Sequence, residues 1–249
     1  MLYGICHLSI VPLRFDSSDK SELVSQLLYG DFFKILERQK KWSKIRLAFD
    51  SYEGWIDNKQ YKEIEENQYK ELNNSTPKLA IDLVEFIEDE NQQLKPILLG
   101  SSLNGLSILN HYHDGNIIEG KNPKSNIIQT AFLYLNCPHL WGGKSPFGID
   151  CSGFTQMVYK LNGYNLLRDA HQQATQGEAL SFIEESEPGD LAFFDNNEGQ
   201  IVHVGLIMQD NYIIHVHGKV RIDRLDHSGI YNVDLKMHTH KLRVIKKVI

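Results

Sequence analysis

Cysteine is scarce in this chain. Three residues, Cys6, Cys137 and Cys151, stand at irregular spacings, and an odd, scattered set gives no disulfide framework. Long apolar runs are missing too: no stretch approaches the ~18 residues needed to span a bilayer. The opening MLYGICHLSIVPLRFD lacks the basic start, apolar core and small-residue cleavage site of a signal peptide. A cytoplasmic location is therefore expected, with export the alternative if a leader has been removed. Excess positive charge is also absent. A net charge of −6 offers no basic footprint for nucleic acid and no polybasic patch for a membrane. What remains is ordinary for a globular protein, 41% hydrophobic and 23% charged, and 249 residues suffice for one large domain or two to three small ones.

Residues 1–62 read as short strands. LSIVPLRF, QLLYGDFFKIL, WSKIRLAF and YEGWID mix β-branched and aromatic residues with polar ones, and Asp16–Asp19, Gly30-Asp31 and Asp50-Ser51 supply turns. Strands at this spacing suggest a small barrel. Trp42 and Trp55 suit its core. Residues 62–74, KEIEENQYKELNN, are polar enough for a solvated linker or a short helix. In His111-Tyr112-His113-Asp114 alternating histidines on a strand edge are expected rather than a metal cluster, since no further ligand lies nearby in sequence.

From Asn126 the texture changes. Ile127, Ile128, Ala131, Phe132 and Leu135 fall on one helical face, ending before Pro138. Next comes LWGGKSPFGIDCSGF, Leu140–Phe154, from which Phe154, Met157, Val158 and Leu161 recur at helical spacing until Gly163. Cys151 thus starts a helix, where unpaired N–H groups and the positive dipole end favour thiolate over thiol. That suits a nucleophile; a small buried apolar residue is the alternative. Pro188-Gly189-Asp190 turns into the apolar strand Leu191–Phe194, and IVHVGLIM and YIIHVHG form a hairpin around Gln209-Asp210-Asn211. A three-residue loop puts His203, His215 and His217 on one face, with His217 opposite His203 and His215 diagonal to it. A thiol peptidase needs one imidazole as base and a third group to hold it, so His215 and His217 both qualify. The same thiol and imidazoles could instead ligate zinc, but no paired CxxC or HxxxH spacing supports that.

Two resemblances add to this reading. SELVSQLLYGD, KKWSKIRL and DSYEGWID resemble the bacterial SH3-like domains attached to cell-wall peptidases, and KPILLGSSLNGLSILN resembles a second, eroded unit. LWGGKSPFGIDCSGF, LLRDAHQQ, EPGDLAFF, HVGL and YIIHVHGK, in that order over residues 123–249, resemble the NlpC family of papain-like cysteine peptidases. The implied architecture is multidomain: an all-β SH3-like domain at 1–62, a linker with a possible degenerate second SH3-like unit at 63–122, and an α+β papain-like catalytic domain at 123–249.

The resemblance to this family implies Cys151 as nucleophile, His203 as general base and His215 as its orienter, which chooses between the two histidines. It also implies no cofactor. His217 and His139 depart from the family pattern, where a small residue and a tyrosine are usual. Relatives that join SH3-like domains to this module cut between γ-D-glutamate and the diamino acid of cell-wall stem peptides bearing a free N-terminal L-alanine. On that pattern Asp150 receives the substrate ammonium, with Ser152 and Tyr52 assisting and Trp141 lining the pocket. An N-cap for Asp150, barrel-edge packing for Tyr52 and wall packing for Trp141 are the plainer roles. Arg168-Asp169 are expected to shape the groove by pairing. A recycling enzyme for peptidoglycan-derived peptides follows, with no nucleic-acid or membrane partner. A non-hydrolytic peptidoglycan-binding module, or a related thiol amidase or acyltransferase, are the rivals.

Overall fold

The computed structural model describes residues 2–249. The chain divides into two compact units, Met1–Lys121 with Trp141–Pro146, and Asn122–Leu140 with Phe147–Ile249.

The first unit opens with β1 (Leu2–Ile5), β2 (Ile10–Arg14), β3 (Leu23–Leu28), β4 (Phe32–Arg38), β5 (Trp42–Leu47), β6 (Glu53–Asp57) and β7 (Lys62–Ile64). They form one antiparallel sheet in the order β3-β2-β6-β5-β4-β1-β7. Alternation decides which side is buried: Val11 and Leu13 on β2, and Ser43, Ile45 and Leu47 on β5, point inward. With Leu27, Phe33 and Ile56 the apolar ones among them make the core. Trp42 and Trp55, expected there, are only half-buried, because they fall on the opposite parity from Ile45 and Ile56. Gly30 has φ +79°, and a Cβ there would lie 1.8 Å from the Ser102 carbonyl oxygen, so only glycine fits this turn.

The polar stretch after β7 becomes helix α1 (Glu66–Asn74), started by a capping box between Glu65 and Gln68. Five short strands follow: β8 (Lys78–Ala80), β9 (Val84–Asp89), β10 (Leu94–Leu98), β11 (His111–His113) and β12 (Ile117–Glu119), with the one-turn α2 (Leu106–Leu109) between. They pair as β10-β9-β11 and β12-β8. Ala80, Ile87 and Ile97 from these strands and Leu103 just before α2 pack in one cluster with Ile5 on β1 and Tyr29 just after β3. The middle segment therefore shares its core with the N-terminal strands. Trp141–Pro146 completes the unit with β13 (Lys144–Ser145). The Lys144 N–H donates to Gln26 Oε1 at 2.8 Å, and a Cβ on Gly142 would fall 2.3 Å from the Leu23 carbonyl oxygen.

The second unit contains α3 (Asn126–Phe132), β14 (Gly148–Ile149), α4 (Cys151–Leu161), α5 (Ala170–Gln173), β15 (Glu178–Leu180), β16 (Leu191–Asp195), β17 (Ile201–Ile207), β18 (Tyr212–His217), β19 (Lys219–Asp226), β20 (Gly229–Asn232) and β21 (Met237–Lys247). The antiparallel sheet runs β15-β21-β16-β17-β18-β19-β20, and β20 also pairs with β21, which closes the last six strands on themselves. α4 packs on β17 and β18. It is buried at every position from Ser152 to Leu161, so it is a core helix rather than a half-exposed one. The α3 face differs from the expected one. Ile127, Thr130, Ala131 and Tyr134 are buried, whereas Phe132 and Leu135 are exposed. These four follow the i, i+3, i+4, i+7 spacing from Ile127; Ile128, Phe132 and Leu135 lie a residue round from it.

Candidate active site

Cys151 occupies the first position of α4, and Asp150 is its N-cap. The Asp150 carboxylate accepts the Gly153 N–H at 2.6 Å, satisfying one of the orphan donors of a helix start. It also accepts the Ser152 hydroxyl at 3.3 Å, and it holds an ion pair. The fully buried Arg168 donates through Nη2 to Oδ2 at 2.7 Å and through Nη1 to Oδ1 at 3.0 Å. The same Nη1 reaches Ser152 Oγ at 3.0 Å. Arg168 thus pairs with Asp150. Its sequence neighbour Asp169 instead starts α5 in a capping box with Gln172.

The sulfur is not the low-pKa thiolate that its helix position suggests. Although the residue keeps some exposed surface, burial and then the Asp150 carboxylate push the thiol up to about 12, against weaker lowering by the Val204 and Ser152 N–H groups and Arg168. Desolvation disfavours the charged form by more than one helix end favours it. The resting sulfur is a thiol.

The Val204 N–H that lowers the Cys151 pKa belongs to the residue after His203, so β17 brings that histidine to the start of α4. The β17–β18 loop has the expected length. Asp210 and Asn211 take left-handed φ angles of 58° and 61°, and Gly205 pairs with His215. That register puts His215 diagonal to His203, and His203 Nε2 is hydrogen-bonded to His215 Nδ1 at 3.0 Å. Gly205 makes the contact possible: a Cβ there would lie 2.9 Å from the His215 Cβ and 2.8 Å from Ile213 Cδ1.

Two further residues were not anticipated from the sequence. Asp223 on β19 contacts His215 Nε2 at 3.0 Å. It also accepts two hydrogen bonds from Arg221, at 2.7 and 2.9 Å, and the Val233 N–H at 3.1 Å. Burial would raise its carboxyl, but these donors outweigh burial and hold it at about 2. His240 on β21 stacks on His203 with ring centroids 4.1 Å apart and planes 26° apart. Burial first, then His215 and His217, pull His240 down to about 4. His203 itself lies well below its ordinary value because of burial, then His215, His240, His217 and His139. It is a neutral imidazole at rest. The departing residue His217 packs edge-on against His240 at 5.1 Å.

Ring nitrogens of His203, His215 and His240 lie within 4.8 Å of one another. A metal ion binds in the plane of each imidazole ligand. The near-parallel stack of His203 and His240 keeps their two lone pairs from meeting on one ion, so the trio is poorly shaped as a chelate.

Cys151, Asp150, Ser152, His203 and His215 all fall in the second unit. Tyr52 and Trp141 fall in the first, where Tyr52 packs against the strand core and the Trp141 indole N–H donates to Glu22 at 2.6 Å. Asp31 caps a turn by accepting the Leu28 N–H. His111 is hydrogen-bonded to Tyr29 Oη at 2.9 Å, with Lys95 Nζ at 3.3 Å. An ammonium so close opposes a metal ion there.

Comparison with known proteins identifies both units. Residues 13–60 match the bacterial dipeptidyl-peptidase SH3 domain, and residues 136–239 match the NlpC/P60 family. The chain thus carries an N-terminal SH3 domain followed by an NlpC/P60 domain. A γ-D-glutamyl-L-lysine dipeptidyl-peptidase of Bacillus subtilis is 42% identical over 101 residues, 40% of this chain and 34% of that protein. A protein of the same name from Bacillus cereus is 27% identical over 228 residues, 80% of this chain and 68% of its own length. The chain therefore spans about a third of the first relative and two thirds of the second. The crystal structure of an NlpC/P60 family protein from Bacillus cereus superposes with a TM-score of 0.81 over 99% of both chains at 18% identity, a likeness of fold.

Proposed function

We propose that this protein is a cysteine peptidase that hydrolyses the bond between γ-D-glutamate and the L-diamino acid of peptidoglycan stem peptides with a free N-terminal L-alanine. One observation carries the chemistry: a thiol at a helix start beside β17, whose histidine is hydrogen-bonded at 3.0 Å to a second, buried imidazole. Support for the bond comes from relatives named for γ-D-glutamyl-L-lysine cleavage. Trimmed peptides are the ones with a free amine, so a recycling role follows.

Thiol and imidazole are both neutral at rest, so the proton crosses as the bond forms. His203 takes the Cys151 proton while the sulfur attacks the carbonyl carbon. The oxyanion meets N–H groups at the first turn of α4. His203 protonates the leaving amine, then activates the water that hydrolyses the thioester. His215 holds the His203 ring throughout. Asp150, with Ser152, is assigned to the substrate amine. Because Arg168 already pairs with Asp150, the carboxylate receives the ammonium as a shared partner.

The test is incubation with L-Ala-γ-D-Glu-L-Lys, with and without an N-acetyl group, read by mass spectrometry. Cleavage of the free-amine peptide alone, abolished in Cys151→Ala, is the expected result. Equal cleavage of both would remove the Asp150 role, and binding without turnover would favour a peptidoglycan-binding module.

A further inference from the structure

We infer that Asp223 is a positioning residue of the site, fixing the tautomers of two imidazoles in series so that His203 Nδ1 is left bare to accept the Cys151 proton. The argument is one of donors and acceptors. An ionised carboxylate can only accept, so the 3.0 Å contact between Asp223 Oδ2 and His215 Nε2 places the His215 proton on Nε2. A neutral imidazole carries one proton, which leaves His215 Nδ1 as a lone pair. The 3.0 Å contact of that Nδ1 with His203 Nε2 then requires the proton on His203 Nε2. His203 Nδ1 becomes the remaining base.

Once the Cys151 proton arrives, the imidazolium keeps its Nε2–H donated to His215, and the charge is felt through that ring by Asp223. The carboxylate is fixed as well. Asp223 is completely buried, held by the Arg221 fork at 2.7 and 2.9 Å and the Val233 N–H at 3.1 Å, and Arg221 is in turn paired with Asp234 at 2.9 Å. Without Asp223, His215 would be free to carry its proton on Nδ1. Two N–H groups would then face each other, and His203 could relieve the clash only by moving its own proton to the catalytic nitrogen.

This inference rests on the reading of Cys151 as nucleophile and His203 as base, and the experiment separates the two. Nitrogen-15 NMR of the histidine rings in the full, ligand-free protein near neutral pH should show the Nε2–H tautomer for both His203 and His215. A His215 Nδ1–H signal would overturn the proposal whether or not the enzyme turns over. Kinetics on L-Ala-γ-D-Glu-L-Lys supply the second arm. Asp223→Ala should lower kcat about 10²–10⁴-fold, as loss of a histidine-orienting carboxylate does elsewhere, with KM changed less than about threefold. The acid limb of its kcat/KM profile should move to lower pH, because the imidazolium loses its distal anion; Asp223→Glu should restore part of the rate. His217, His240, His139 and Arg221 also act on the pair and are unchanged in these variants. Wild-type rate with an unmoved limb in Asp223→Ala would overturn the inference. If that variant fails to fold, the wild-type tautomers decide. If the wild type cleaves nothing, the functional reading falls and the tautomers still decide this one.

Discussion

Each unit carries a His-x-His pair on a short strand: HYH at 111–113 in the first and HVH at 215–217 in the second. The spelling is the same, and the neighbours make the difference. His111 meets a tyrosine hydroxyl and the ammonium of Lys95, and burial, then Lys95 and Lys62, pull it down to about 4. His215 is also lowered by burial, but Asp223 works in the opposite direction. At His111 the two lysines outweigh the raising influence of Asp89, whereas at His215 Asp223 outweighs Arg221. An imidazole wired to a carboxylate can share a proton's charge with its neighbour. The motif alone assigns no chemistry; the charge at the far ring nitrogen does.

The largest effect should come from dividing the two pairs by mutation. His215→Ala should lower kcat on L-Ala-γ-D-Glu-L-Lys by about 10³-fold with the fold retained, since an orienter is lost rather than the nucleophile. His111→Ala should leave the rate within about twofold. Equal losses measured side by side would mean that both pairs are structural, and the contrast would collapse.

Next in size is the ion pair beneath the cysteine. Arg168 and Asp150 are buried together, and removing one partner of such a pair costs about 3–5 kcal/mol. Asp150→Ala should lower stability by that amount in urea unfolding, more than any loss at the exposed Lys70–Glu66 pair, where water screens the charges. Comparable effects would show that the Arg168 pair is open to water.

A pH series comes third. His203, His215 and His240 all have lowered folded values, so below their ordinary 6.5 the unfolded chain binds more protons and stability falls as pH drops. Cys151 has the opposite sign. Its folded value of about 12 lies above the ordinary 9.0, so its contribution is complete below 9.0 and is lost as pH rises through 12. Thermal unfolding should be most resistant between these two limits. A Tm still rising from pH 7 down to pH 5 would refute the histidine part.

Much of the second unit was legible in the sequence because it is local. The α4 stripe, the three-residue loop and the strand parity that sets His215 diagonal to His203 are all short-range patterns. Parity carried one strand further would have reached Asp223 as well: His215 pairs with Arg221 on β19, and Asp223 is the next residue on that face. His240 had no such signal, because β21 reaches the site only where β20 and β16 both pair with it. The Trp141–Pro146 segment was read with the catalytic motif but packs with the first unit, since the cradle that accepts Gly142 is a backbone carbonyl 119 positions earlier, as Glu22 is from Trp141. The thiol's high pKa was hidden for a similar reason: desolvation depends on everything that folds over the sulfur, and the helix start is only one part of it.

The smallest expected effect tests the comparison at its source, the cation beside His111. Lys95→Met removes the second-ranked influence on that ring while burial, the first, stays. The His111 titration followed by NMR should therefore rise from about 4 without reaching the ordinary 6.5. Peptide cleavage should be unaffected. The substitution also strips Asp89 of its 2.9 Å partner, so the carboxyl held at about 2 by that lysine and the Gln93 N–H should climb. Full recovery of His111 would assign its shift to charge alone. An unmoved His111 would assign it to burial alone, and either result would recast why one His-x-His strand is governed by a cation while the other is held by a carboxylate.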